Sequence, residues 1–349
     1  MTQPFDPKHL KLLTIWLFFC GLSVFTMIII GAITRLSGSG LSMVEWRPLI
    51  GALPPMNEAE WNRVFDLYKE SPEYVKKNFW MELSDFKQIF FWEWFHRLLG
   101  RLIGVIYFVP FVFFLIKKWI PKGYLVPLFF LFLLGGAQGF MGWYMVKSGL
   151  VDMPSVSHYR LAAHLSLALI ILSVMVWLGL SFTKLSKGQN TLPDNALYNH
   201  GLLCLFFLCL TIFWGAYTAG LDAGLVYNDS FPKMGDTWIP EEVWFHQPVW
   251  RNFFENHAGV QFAHRWLAMT TTAMVVGLIL HAGYKKRPEK SFIFLAVIVF
   301  IQLSLGIMTL YSHVDLHIAV SHQAGAVTLL CVLISCLHAA RFKQPLPSR

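Results

Sequence analysis

Charge is what this sequence has least of. Only 14% of its 349 residues are Asp, Glu, Lys or Arg, 56% are hydrophobic and the mean hydropathy is +0.52. A soluble domain carries about 25% charge, so water is excluded as the solvent for most of the chain. A CxxC motif is also missing. The five cysteines, Cys20, Cys204, Cys209, Cys331 and Cys336, all fall inside apolar runs. That excludes a thiol redox pair or a zinc ribbon and leaves them as small buried hydrophobes. No cleavable leader is expected either: the opening "MTQPFDPKHLKLL" is too short and too acidic for a mitochondrial presequence, and no small-residue cleavage site follows the first apolar run, which is expected to stay as an anchor. The formal charge of +8 calls for no nucleic-acid partner. On a membrane protein, basic loops report orientation first, with lipid as the surrounding partner.

What is present is a series of long apolar runs. A spanning helix needs about 20 mostly apolar residues, and eight runs qualify, near 10–34, 90–116, 124–146, 159–182, 200–221, 259–283, 291–311 and 317–340. The expected fold is an all-α polytopic membrane protein of eight transmembrane helices, arranged as two pseudo-symmetric four-helix bundles. Lys117, Lys118, Lys122, Lys184, Lys187, Lys285, Lys286, Arg287 and Lys290 crowd the even-numbered connections, and Lys8, Lys11, Arg341, Lys343 and Arg349 the tails. Both termini are therefore expected in the cytoplasm, with the long loops 35–89 and 222–256 outside.

The two halves echo each other. "WFHR" at 94–97 is matched by "FAHR" at 262–265, "GAITRLSGSGL" by "GAYTAGLDAGL", Gln138 by Gln302, and His164 by His322. The order of landmarks is the same, which implies duplicated four-helix units, residues 1–198 and 199–349, with equivalent sites at equal depth. His96, His164, His264 and His322 each lie about two turns in from the outer end of an even-numbered helix, at about 1.5 Å per residue. Two imidazoles facing across a four-helix unit make a bis-histidine haem site. Zinc or a di-metal centre would need further ligands, which the second half does not offer. Arg97 and Arg265 each follow a candidate ligand and are candidate partners for haem propionates; snorkelling to the outer interface is the other reading, compatible with the first.

The halves differ at one telling position. Glu93 stands three residues before His96, on the same helix face, whereas Gln261 stands three before His264. A carboxylate beside a macrocycle in an apolar pocket is a candidate general acid or base; an i, i+4 salt bridge to Arg97 is the plainer alternative. The difference points to a substrate-like haem in the N-terminal half and an electron carrier in the C-terminal half. Arg101 has no counterpart, since position 269 is Met.

The segments "GAITRLSGSGLSMVEWRP" with "GALPP", "EWFHRLLGRLIG", "MGWYMVKSGL", "VSHYRLAAHL", "AGLDAGLVYNDSFPKMGDTWIP", "FENHAGVQFAHR" and "AVSHQAGA" resemble haem A synthase of the proteobacterial and mitochondrial type, nearly end to end. One branch of that family has paired cysteines in the outer loops; loop 35–89 has none. The resemblance implies an oxidoreductase that converts the C8 methyl of haem O to a formyl group by successive hydroxylations, giving haem A for cytochrome c oxidase. It implies His96 and His164 as axial ligands of the substrate haem, His264 and His322 as ligands of a haem b cofactor, and Glu93 as the catalytic carboxylate. It also implies a bacterial inner membrane location and haem O delivered by a haem O synthase. The electron acceptor, homo-oligomerisation and the haem O path stay open. The competing expectation is a non-catalytic di-haem b-type electron-transfer protein. A transporter fits poorly, because the polar groups cluster near one face and the helices lack paired midplane breaks.

Overall fold

A computed structural model describes residues 6–46, 50–149, 155–187, 194–286 and 290–341. Its elements are α1 (Pro7–Leu36), α2 (Glu58–Lys69), α3 (Leu83–Ile116), α4 (Leu125–Gly149), α5 (His158–Ser186), α6 (Asn195–Gly220), the single turn α7 (Asn252–Glu255), α8 (His257–Tyr284), α9 (Lys290–Tyr311) and α10 (Leu316–Arg341), with short 3-10 and π turns between them. Among the described residues all but α2 and α7, eight helices, are long and apolar enough to cross a membrane. Every hydropathy-derived span falls on one of these helices. A helix is the structure such a segment adopts, because lipid offers no partner to backbone N–H and C=O groups.

Packing follows the same cyclic order in each half. In the first, α1 packs on α3 and α5, and α4 on α3 and α5; in the second, α6 packs on α8 and α10, and α9 on α8 and α10. The halves meet through α1 with α10, α5 with α6, and α5 with α10. A single apolar cluster crosses that seam, from Leu13, Leu17 and Cys20 of α1 through Leu172 and Phe182 to Leu278, Leu295 and Leu333. Small contacts repeat as well. The Cys20 thiol reaches the Ile106 carbonyl at 3.9 Å, and the Cys204 thiol reaches the Met274 carbonyl at 3.3 Å. At the end of the bundle away from the termini Arg35, closing α1, donates to the Ala219 carbonyl at 2.8 Å and pairs with Asp222 at 3.1 Å, tying one half to the other.

The span given by hydropathy as 90–116 begins earlier, at Leu83. The two added turns serve the loop that joins α1 to α3. Phe86, Ile89 and Phe90 pack with Phe65 and Tyr68 of α2 in a separate buried cluster. A capping box between Glu82 and Asp85 starts the helix. The α8 start has an equally local cause. Asn256 caps it, its side chain accepting from the Ala258 N–H at 2.9 Å. Gly259 is required because any Cβ there would strike the Asn252 carbonyl.

Candidate haem sites

The four histidines share one packing device. Each sets its ring carbon Cε1 against a glycine of the neighbouring helix: His96 on Gly31 of α1, His164 on Gly142 of α4, His264 on Gly215 of α6 and His322 on Gly306 of α9. A Cβ built on these glycines would lie 3.1, 3.3, 2.9 and 2.9 Å from that carbon. Any larger residue would push the ring out of place, so the glycines fix where the imidazoles sit. Within each half the two rings lie in electrostatic reach of each other, His96 with His164 and His264 with His322.

Their hydrogen bonds differ between halves. His264 Nδ1 stands 3.0 Å from the Thr211 carbonyl, so Nδ1 carries the proton and Nε2 the lone pair. That is the tautomer an axial ligand needs. Gln302 Nε2 lies 3.1 Å from His322 Nδ1. In the first half Gln138 Nε2 lies 3.3 Å from His164 Nε2 and donates to that residue's own carbonyl at 3.1 Å. Nδ1 of both His96 and His164 is buried with no hydrogen-bond partner among the described residues. Four imidazoles paired two by two and set by glycines, with Nε2 of His264 left as a lone pair by its Nδ1 hydrogen bond, fit the nitrogen donors that haem iron takes.

Glu93 is buried and fully engaged. One carboxylate oxygen accepts from Ser42 Oγ at 2.7 Å and from the Met43 N–H at 2.6 Å; the other accepts from Arg97 at 2.5 Å. The i, i+4 ion pair foreseen as the plainer reading is therefore formed, with both side chains almost wholly buried. Arg97 goes on to donate to the Met43 and Glu45 carbonyls at 2.9 and 3.2 Å and stacks over Trp46. The pair clamps the loop that follows α1 onto the N-terminal part of α3.

The second half builds the same clamp without the negative charge. Gln261 donates to the Ala223 carbonyl at 3.1 Å and to the Val226 carbonyl, and accepts from Arg265 at 3.2 Å. Arg265 donates to the carbonyls of Tyr227 at 2.9 Å, Ser230 at 2.8 Å and Lys233, and lies over Phe231. Both arginines, expected as propionate partners, thus serve loop carbonyls; Arg265 Nε is buried without a partner among the described residues. Ser42, Met43 and the four glycines are the site residues that reading for ionisable groups does not reach, whereas Gln138 and Gln302 stood out already as a matched pair. The signal that would have found two of the glycines lies beside that pair: "QGFMG" at 138–142 and "QLSLG" at 302–306 share the glutamine-to-glycine spacing.

Eight helices long and apolar enough to span, packed four and four with a matched histidine pair in each half, define an all-α multi-pass membrane protein. More narrowly, the chain belongs to the COX15-CtaA family, described as cytochrome oxidase assembly protein, whose pattern matches residues 14–334. It is similar to the protein named heme A synthase of Rhodospirillum centenum, 45% identical over 334 residues, covering 95% of this chain and 89% of that protein. The heme A synthases of Nitrosospira multiformis and Parvibaculum lavamentivorans are 42% and 43% identical, covering 95% and 93% of this chain and 94% and 92% of their own lengths.

Proposed function

We propose that this chain is a haem A-forming oxidoreductase. It takes haem O as substrate and oxidises the C8 methyl to a formyl group by two successive hydroxylations and loss of water from the geminal diol. Haem A made in this way supplies cytochrome c oxidase. The observation that carries the reading is the pairing of two equivalent histidine sites with one charged and one neutral clamp: Glu93–Arg97 beside His96, and Gln261–Arg265 beside His264.

His96 and His164 hold the substrate haem in the N-terminal half, 1–198, and His264 and His322 hold haem b in the C-terminal half, 199–349. Haem b, when bound, supplies one-electron transfer. The chain's own residues do the rest. The glycine-set imidazoles fix each ring, and the clamped loop 41–46 closes the outer side of the N-terminal site. Glu93 presents a buried carboxylate whose charge Arg97 balances, available for proton transfer or for stabilising positive charge that develops at the methyl carbon. Each hydroxylation withdraws an electron pair from that carbon, and an electron acceptor outside the chain must take it up. Haem O delivered by haem O synthase fits this site, and the Lys and Arg distribution favours the bacterial cytoplasmic membrane with both termini inside.

The engagement of Glu93 by Arg97, Ser42 and Met43 also favours a second reading, in which Glu93 is only a strut and the chain is a di-haem b electron-transfer protein. The site assignment is tested by expression in a host without haem O. The purified protein then carries haem b bound by two histidines. His264→Ala and His322→Ala abolish its absorption, whereas His96→Ala leaves it in place; loss with His96→Ala and retention with His264→Ala would reverse the assignment.

A further inference from the structure

Glu93 is buried, and Ser42, Met43 and Arg97 occupy both of its oxygens. A proton that it takes up needs a second group to carry it away. When a methyl carbon gives up an electron pair and gains the oxygen of water, two protons are released for each hydroxylation, while the electron pair goes to the acceptor outside the chain. The loop between α1 and α3 holds groups suited to moving those protons, and it buries them: Ser39, Ser42, Ser71, Tyr68 and Glu73. The clamp itself does not require them. The C-terminal half clamps its loop with Ala223 at the position of Ser39, Val226 at that of Ser42 and Gln261 at that of Glu93. At none of these three positions does it carry a side chain that passes on a proton.

Glu73 stands at the far end of the cluster. Tyr68 donates to it at 3.0 Å, and Asn78 donates to Tyr68 at 2.7 Å. Tyr68 packs with Ile89 and Phe90, in the turn of α3 before Glu93. Ser42 Oγ, which donates to Glu93, lies 3.4 Å from the Ile89 carbonyl. Tyr68 and Glu73 are both within electrostatic reach of Glu93, and Glu73 also within that of Lys77 and Arg35. Residues 75–77, just after Glu73, are exposed, so this end of the cluster is the one next to solvent. Between buried polar groups not in direct contact, ordered water completes the hydrogen bonds.

We propose that Glu73 is the proton acceptor for Glu93: a proton released at the substrate methyl passes from the Glu93 carboxyl, along the hydroxyls beside Ser42, to the Glu73 carboxylate, and from there to the medium. Glu93 thereby returns to the carboxylate that Arg97 balances. This rests on the function proposed above and deepens it by naming the route of the protons. Burial raises the Glu73 carboxyl from 4.5 to about 7; the Glu93 charge adds to the rise, and the Tyr68 hydrogen bond, Lys77 and Arg35 oppose it. A group that titrates near the working pH both takes up and gives up protons.

The test has two readouts. In spheroplasts of a host that makes haem O, formation of haem A and its hydroxylated precursor is followed against the pH of the medium. Wild-type conversion is expected to fall as pH drops through about 7, where Glu73 becomes protonated. Glu73→Gln, a neutral copy of the protonated form, is expected to keep haem b, convert at least several-fold more slowly and lose that pH dependence; Glu73→Asp restores much of the rate. Conversion by Glu73→Gln at the wild-type rate, or slower but with the pH dependence kept, overturns the proposal. The second readout needs no turnover: infrared titration of the protonated-carboxyl stretch in full-length protein purified from a host without haem O. The Glu73 band, identified by its loss in Glu73→Gln or its shift in Glu73→Asp, is expected to titrate at higher pH in Tyr68→Phe and at lower pH in Glu93→Gln. A band that Glu93→Gln leaves in place overturns the relay, whether or not Glu73→Gln accumulates. Wild-type spheroplasts that make no haem A refute the function and the relay with it; undiminished haem A from Glu73→Gln refutes the relay alone.

Discussion

Glu93 has two separable duties, one mechanical and one electrostatic. Removing one member of a buried ion pair leaves an uncompensated charge and costs about 3–5 kcal/mol. Glu93→Ala therefore loosens the loop 41–46 clamp and confounds any activity measurement. Glu93→Gln copies what the chain already uses at position 261, where Gln261 and Arg265 hold the equivalent loop. That variant is expected to accumulate, keep haem and lose conversion of haem O, as read by chromatography of extracted haems. Conversion at the wild-type rate would make Glu93 a strut. The glycines give an independent prediction. Gly215→Ala adds a Cβ 2.9 Å from His264 Cε1; overpacking of this kind costs about 1–3 kcal/mol and is expected to reduce bound haem b. Gly283→Ala meets nothing within 4 Å and should leave the absorption spectrum unchanged.

At the scale of elements, the spanning helices were legible because an apolar run of that length has one stable form in lipid. The start of α3 was not, because its first two turns follow a different rule: Phe86, Ile89 and Phe90 pack against α2 in a cluster of their own. The hydrogen bonds of Glu93 to Ser42 and Met43 were also beyond the sequence, since they join segments about fifty residues apart whose approach is set by the packing of α1 on α3. The same loop contains a pH-sensitive cluster. Tyr68 donates to Glu73 at 3.0 Å and Asn78 donates to Tyr68 at 2.7 Å. Burial pushes the Glu73 carboxyl from its ordinary 4.5 up to about 7, against the opposing pull of the Tyr68 hydrogen bond. A raised carboxyl pKa means that the fold favours the protonated form, so this contribution is full below about pH 4.5 and is lost as pH rises through about 7. Hydrogen exchange in α2 is expected to quicken over that interval, and Glu73→Gln to flatten the dependence. Exchange that slows with rising pH, after correction for intrinsic rates, would contradict it.

At the scale of the whole molecule, the internal echo read from "WFHR" and "FAHR" carries over into matched packing, matched glycines and matched clamps. What periodicity could not convey is which helix each histidine leans on, because that depends on how four helices close a ring rather than on any one of them. Orientation is testable separately. Lys69→Cys, in the outer loop, is expected to react with a membrane-impermeant maleimide on intact spheroplasts, and Lys187→Cys only after lysis; the reverse pattern would invert the topology. The claim that these features serve one chemistry is tested most directly by expressing the wild-type protein with a haem O source and identifying the extracted haems by chromatography and mass. The prediction is haem A together with its hydroxylated precursor. Haem O alone, from folded protein loaded with haem, would contradict it.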